Sequence, residues 1–309
     1  MEKEHMYIAK ILFKNKVYQH KGQAFEDFFV SIMTKVNSEF QAVKAYGNIG
    51  DRKNDGFVRS TGTYYQVFAP EDITKTKTIA DAVKKLETDF KALYENWNDS
   101  CKINKFFFVI NDKYVGIPAP IIEKIFEINK NSLYEDVELE LFTAKDLERV
   151  FESLDETQML DVIGFIPTPH CSMIEYSALS EVISYLQNME LAHYENEKLV
   201  VPDFMEKIAF NNLNASIEHY LMEGSYQEGL LESYFNENPG TRAILQDRFH
   251  ALYEKACEVI PDTDENAEDC RYFYILENAA SKKTLANEAC IKVLMAYYFT
   301  TCDIFEEPR

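Results

Sequence analysis

Glu26, Asp55 and Gln66 are the side chains whose types and positions suit chemistry on a phosphodiester. Glu26 lies in a run where Phe25, Phe28, Phe29, Ile32 and Val36 recur with the spacing of one buried helical face. Asp55 ends a turn rich in Gly47, Gly50 and Asn54 and stands directly before Gly56. Gln66 is the central residue of the apolar stretch Tyr64-Tyr65-Gln66-Val67-Phe68. Oxygen donors of this kind hold Mg²⁺, and the ion neutralises a phosphate and activates a water. Each residue also has a plainer reading. Glu26 beside Asp27 reads as a solvated helix charge, and Asp55 as a turn residue bonding its own backbone. Gln66 reads as a buried amide that must find partners. Asp51-Arg52-Lys53 reads equally as a solvated turn or as a segment that approaches a phosphate.

The elements that must position these residues follow from periodicity. A helix is predicted over Gln23–Val36, then two strands, Gly56–Arg59 and Thr63–Phe68, joined by the hairpin residues Ser60-Thr61-Gly62. Ile79, Val83, Leu86, Phe90, Leu93 and Trp97 form one face of a helix over residues 79–97, with Trp97 in the core. Lys105–Ile110 reads as a fully buried central strand, Pro118–Asn129 as a helix, Val137–Phe142 as a strand and Ala144–Leu154 as a closing helix. This is an α/β arrangement with a mixed sheet. The pattern lapses around Asp155–Pro169, where Pro167-Thr168-Pro169 marks a boundary between residues 1–156 and 170–309. Beyond it the sequence is helical in period: Ile174–Glu190, Pro202–Glu223, Gln227–Asn236, Thr241–Val259, Ala267–Asn278 and Leu285–Ile304.

The helix, glycine-rich turn and hairpin over residues 20–155 resemble the Mrr-like branch of the PD-(D/E)xK nucleases, whose domain is of restriction-endonuclease type. There a GxxGDxGxD turn precedes the catalytic Asp and a QxK strand follows. Phe106–Ile110, and Leu141 to Leu147, match that family's later strand and the entry to its last helix. The resemblance implies Asp55 as principal Mg²⁺ ligand, Gln66 in place of the second acid and Glu26 as an auxiliary ligand, with Asp51 a weaker candidate. One position departs. Phe68 stands where the family has the lysine that positions the attacking water, and a phenyl ring cannot orient a water. Lys53, Lys75 and Lys77 are the nearest replacements in sequence, and a lysine stem is long enough for such migration.

The segment Leu294 to Pro308, the Gly224–Leu230 turn of the form GxxQxGL, the long helix through Phe249 and Tyr253, and the strand Tyr65 to Glu71 resemble a component of the ABC-three-component (Lamassu-like) anti-phage systems. That resemblance implies an SMC-like ABC ATPase and a small middle component as partners. The helical part would dock the chain into the complex, with homo-oligomerisation open.

Charge is divided unevenly. Residues 1–156 hold 22 Lys/Arg against 26 Asp/Glu, whereas residues 157–309 hold 10 against 26, so most of the net −20 lies in the helical part. That part should repel DNA and favour a protein partner. The first 77 residues carry 12 basic and 9 acidic side chains, which permits phosphate contact without forming a basic stripe. Six cysteines without CxxC spacing read as reduced thiols of a cytoplasmic protein. No apolar window reaches the roughly 20 residues of a membrane span. The six histidines sit beside no nucleophile motif, and there is no GxxxxGK[ST]. Two functions fit these observations: a Mg²⁺-dependent endonuclease under partner control, or a degenerate nuclease fold that binds DNA or partners. A purely structural subunit fits less of the sequence.

Overall fold

The computed structural model describes residues 3–45, 47, 50–168, 173–190, 204–301 and 304–308. Two compact units divide the chain: Lys16–Gly164, and Phe165–Arg309 together with Met1–Asn15. The first helix, α1 (Lys3–Gln19), was not evident from the sequence, and its residues up to 15 fall in the helical unit rather than with the sheet.

The α/β unit runs α2 (Gln23–Val36), β1 (Phe40–Ala42), β2 (Gly56–Val58), β3 (Thr63–Phe68), α3 (Thr76–Trp97), β4 (Lys105–Ile110), α4 (Ala119–Asn129), β5 (Glu138–Phe142), α5 (Ala144–Glu152) and α6 (Glu156–Ile163). The five strands lie in the order β1-β2-β3-β4-β5. β1, β2 and β3 pair antiparallel, and β3, β4 and β5 parallel, so the sheet is mixed as expected. β1 and α6 are additions to the elements expected from periodicity.

Alternation along the strands sends successive side chains to opposite faces. Tyr64, Phe106, Phe108 and Ile110 join Leu86, Phe90 and Leu93 of α3 and Ile121, Ile125 and Ile128 of α4 in one core. On the other face Tyr65 stacks on Phe107 and meets Phe29 of α2 and Phe142 of β5. Trp97 packs on Phe57 and Tyr64 at the rim of the first core.

The helical unit contains α7 (Tyr176–Gln187), α8 (Phe204–Phe210), α9 (Ala215–Ser225), α10 (Glu228–Glu237), α11 (Thr241–Val259), α12 (Ala267–Asn278) and α13 (Leu285–Thr300). α13 is buried at every position from Asn287 to Phe299, which makes it the central helix of the unit. The helix expected over Pro202–Glu223 is broken. Asn212 takes a left-handed conformation (φ 49°), and Asn214 caps α9 by accepting from the amides of Ser216 and Ile217. The remaining helices agree with the expected spans to within a few residues at each end.

Candidate functional site

The turn before β2 shapes the site. Arg52 and Lys53 both adopt positive φ (54° and 63°), and the Asp51 carboxylate accepts from the Lys53 amide at 2.8 Å. Asn54 accepts from the Gly56 amide at 3.1 Å. The backbone of Asp55 then enters the sheet: its amide donates to Tyr65 O, and its carbonyl accepts from Val43 N. Both backbone groups of Asp55 are thus committed to the sheet, and the side chain turns towards β3.

Asp55 is 2 % exposed. Its Oδ2 accepts from the Val67 amide at 2.6 Å and from Gln66 Nε2 at 2.8 Å. Among the described residues no hydrogen bond reaches Oδ1. Gln66 Oε1 is buried and has no partner there either, and the same holds for Asn54 Nδ2. Burial pushes the Asp55 carboxyl up to about 7, against the Val67 amide, which favours the ionised form. The charges of Glu26 and Asp51 raise it further, and that of Lys85 lowers it.

Glu26 is half-buried on α2 and takes a hydrogen bond from Gln23 at 2.8 Å. It acts on Asp55 through space, with no shared hydrogen bond. Lys53 places its ammonium 3.2 Å from Asp89 Oδ1. Lys75 lies 3.8 Å from Asp72, and Lys77 is exposed. Phe68 stacks on Phe108 with centroids 6.0 Å apart and packs against the core under α3.

Two residues that sequence reasoning passed over complete the neighbourhood. Asp89, buried on α3, receives Lys85 on Oδ2 at 2.6 Å and Lys53 on Oδ1 at 3.2 Å. The available signal was their place beside the apolar stripe. Lys85 precedes Leu86, and Asp89 precedes Phe90, four residues further along the same helix edge. Among the described residues no group of three or more His, Cys, Asp or Glu side chains is placed to hold a metal ion. The set still suits Mg²⁺, which takes one or two carboxylates and fills its remaining positions with water and substrate phosphate. Asp55 offers an oxygen free of hydrogen bonds, and Gln66 an orphaned buried amide oxygen.

In the helical unit the GxxQxGL residues have structural duties. A Cβ on Gly224 would stand 2.7 Å from the Lys292 carbonyl, so its absence lets α9 approach α13. Gln227 accepts from the Ile174 amide at 3.0 Å. Lys292, 1 % exposed, pairs with Glu288 at 2.7 Å and lies over the Tyr220 ring at 4.1 Å. Residues 177–306 match the family model of C-terminal domain 10 of the ABC-three component (ABC-3C) systems. This similarity runs from α7 through α13. Within this domain α13 is the core, and the match leaves the sheet and the Asp55 site outside its bounds. No curated protein and no solved structure matches this chain. No described helix is long and apolar enough to cross a membrane.

Proposed function

We propose that the chain is the effector subunit of an ABC-3C anti-phage defence complex and that its α/β unit is a Mg²⁺-dependent DNA endonuclease of PD-(D/E)xK type. An SMC-like ABC ATPase and a small middle component hold it off in the cytoplasm until foreign DNA engages the complex. The observation that carries this reading is the Asp55–Gln66 pair: a buried carboxyl that accepts from a buried amide on Oδ2 alone, while Gln66 Oε1 has no partner among the described residues. Native interiors rarely leave a buried amide oxygen unpartnered without a reason.

Asp55 and Gln66 would hold the ion through Asp55 Oδ1 and Gln66 Oε1, with Glu26 adding negative charge from α2. When bound, the ion supplies charge neutralisation at the phosphate and an activated water. The chain's own residues fix the geometry. The Val67 amide and Gln66 Nε2 hold Asp55 in one orientation, and the flanking apolar strands keep bulk water away.

The test is incubation of the purified chain, alone and with its partner proteins, with plasmid DNA and Mg²⁺ or Mn²⁺, beside Asp55→Ala. Nicking by the wild type that Asp55→Ala loses is the expected result. A second reading is favoured by Phe68, whose partly buried ring stacks on Phe108 and packs against the core where a lysine would be needed. It makes the unit a scaffold for DNA or partners. An assembled complex that binds DNA and never cuts would establish that alternative.

A further inference from the structure

We propose that Lys85 is the cation of the Asp55–Gln66 site, serving from α3 the role that Phe68 cannot serve from β3. The proposal rests on the reading of that site as a phosphodiester site.

Three observations carry it. First, Gln66 shares its strand face with Tyr64 and Phe68, and both of these pack against the core that α3 covers. The orphaned amide oxygen is therefore presented on the α3 side of the sheet. Second, Asp89 ties α3 to the turn that delivers Asp55. Its side chain is 6 % exposed, with Lys85 on one oxygen at 2.6 Å and Lys53 on the other at 3.2 Å. Lys53 is two residues from Asp55, so the bridge links the Lys85 end of α3 to the turn that carries the carboxyl. Third, an ammonium has three donors, and the bond to Asp89 uses one of them. Two remain for a phosphate oxygen or a water.

The other lysines are placed differently. Lys53 is spent as the tether, Lys75 pairs with Asp72, and Lys77 is exposed. The positive charge of Lys85 also acts on Asp55 and favours its ionised form. A buried carboxylate that must ionise to bind a cation needs such a neighbour, and a phosphodiester entering the site brings further negative charge for it to meet.

The experiment compares Lys85→Met, Lys85→Arg and Lys53→Met in the full chain with its partners, each first checked for an unchanged melting profile. Cleavage is read with Mg²⁺ and DNA affinity with Ca²⁺. Lys85→Met is expected to lower the cleavage rate by about 100-fold or more with affinity little changed, and Lys85→Arg to recover part of it. Lys53→Met, which removes the tether and leaves the Lys85 ammonium in place, should lose activity too, but less than Lys85→Met. Cleavage by Lys85→Met at the wild-type rate overturns the assignment. A second measurement does not depend on cutting. The ¹⁵Nζ resonance of Lys85 is followed as inorganic phosphate is added with Mg²⁺, in wild type and Asp55→Ala. A shift confined to wild type supports the assignment even if no DNA is cut, in which case the nuclease reading alone fails. An unmoved resonance overturns the assignment whether or not DNA is cut.

Discussion

Burial and ionisation oppose each other at Asp55. Its folded-state value of about 7 lies above the ordinary value near 3.8, so the folded chain prefers the neutral acid. The sign follows from proton linkage: the stability this preference contributes is complete below the ordinary value and is lost as pH rises through about 7. Asp55→Asn, which stays neutral, should gain on wild type by up to about 4 kcal/mol between pH 4 and pH 8 without divalent ions. Melting temperatures of both proteins across that range test it, and parallel curves would refute it. Mg²⁺ should restore wild type selectively at pH 8, because the ion favours the ionised form. Phe68→Lys provides a second test at this scale. Its new ammonium would replace a partly buried ring that stacks on Phe108, so a loss of about 1–3 kcal/mol is expected, read by urea unfolding. If Lys85 already provides the site's cation, the substitution gains no activity. The meeting of Asp55 and Gln66 was legible in the sequence because turn and strand context singles out polar groups there, whereas Glu26 shares no hydrogen bond with either. Lys85 and Asp89 were not legible. On a helix edge beside an apolar stripe a Lys/Asp pair looks like an ordinary solvated pair, and only packing against the turn distinguishes it.

At the scale of elements, legibility followed length and periodicity. α11 and α12 emerged with the expected bounds, and α3 and the strands from β3 to β5 emerged close to theirs, because each carries enough residues to display its period, whereas the three-residue β2 emerged through the hairpin residues Ser60-Thr61-Gly62 beside it. β1 has three residues, Phe40–Ala42, too few to establish an alternation. α6 is short as well, and its clearest signal is local. Asp155 and Gln158 form a reciprocal capping box that starts the helix where apolar periodicity had lapsed. α1 was overlooked because Lys10, Lys14 and Lys16 interrupt its apolar residues, although Lys14 is held by Asp264 at 2.9 Å. The junction of β1 and β2 yields a prediction. A Cβ on Gly56 would meet the Phe40 ring at 2.2 Å, and Phe40 is itself packed on Phe29 and Tyr65. The ring has no open space to move into, so Gly56→Ala should cost about 1–3 kcal/mol. Because Gly56 directly follows Asp55, the same substitution should weaken Mg²⁺ binding. A thermal melt with and without Mg²⁺ reads both, and an unchanged melt would show that Phe40 yields easily.

At the scale of the whole molecule, the division of the chain does not follow its order. Residues 1–15 belong to the unit formed by Phe165–Arg309, while the sheet unit is the continuous stretch Lys16–Gly164. The bonds within the helical unit are specific: Tyr7 donates to Asp269, Asn15 donates to the Cys270 carbonyl, and Lys14 pairs with Asp264. Ile8, Ala9, Ile11, Leu12 and Phe13 are at most 1 % exposed. Losing them forfeits about 1.5–3 kcal/mol for each large side chain, which is comparable to the whole stability of a domain. Asp269 would also lose the Tyr7 donor while remaining buried, and a buried carboxylate without its partners is costly. Residues 165–309 alone should therefore lack a cooperative melt, and a peptide of residues 1–15 added in trans should restore helicity and cooperativity. Residues 16–164 alone should fold, because no part of that unit lies elsewhere in the chain. Circular dichroism melts of the two fragments, with and without the peptide, decide the matter. A cooperative melt of residues 165–309 that the peptide leaves unchanged would mean that the amino-terminal helix is an accessory. The expected result would make that helix an integral part of the helical unit, although the match to the ABC-3C domain model begins at residue 177.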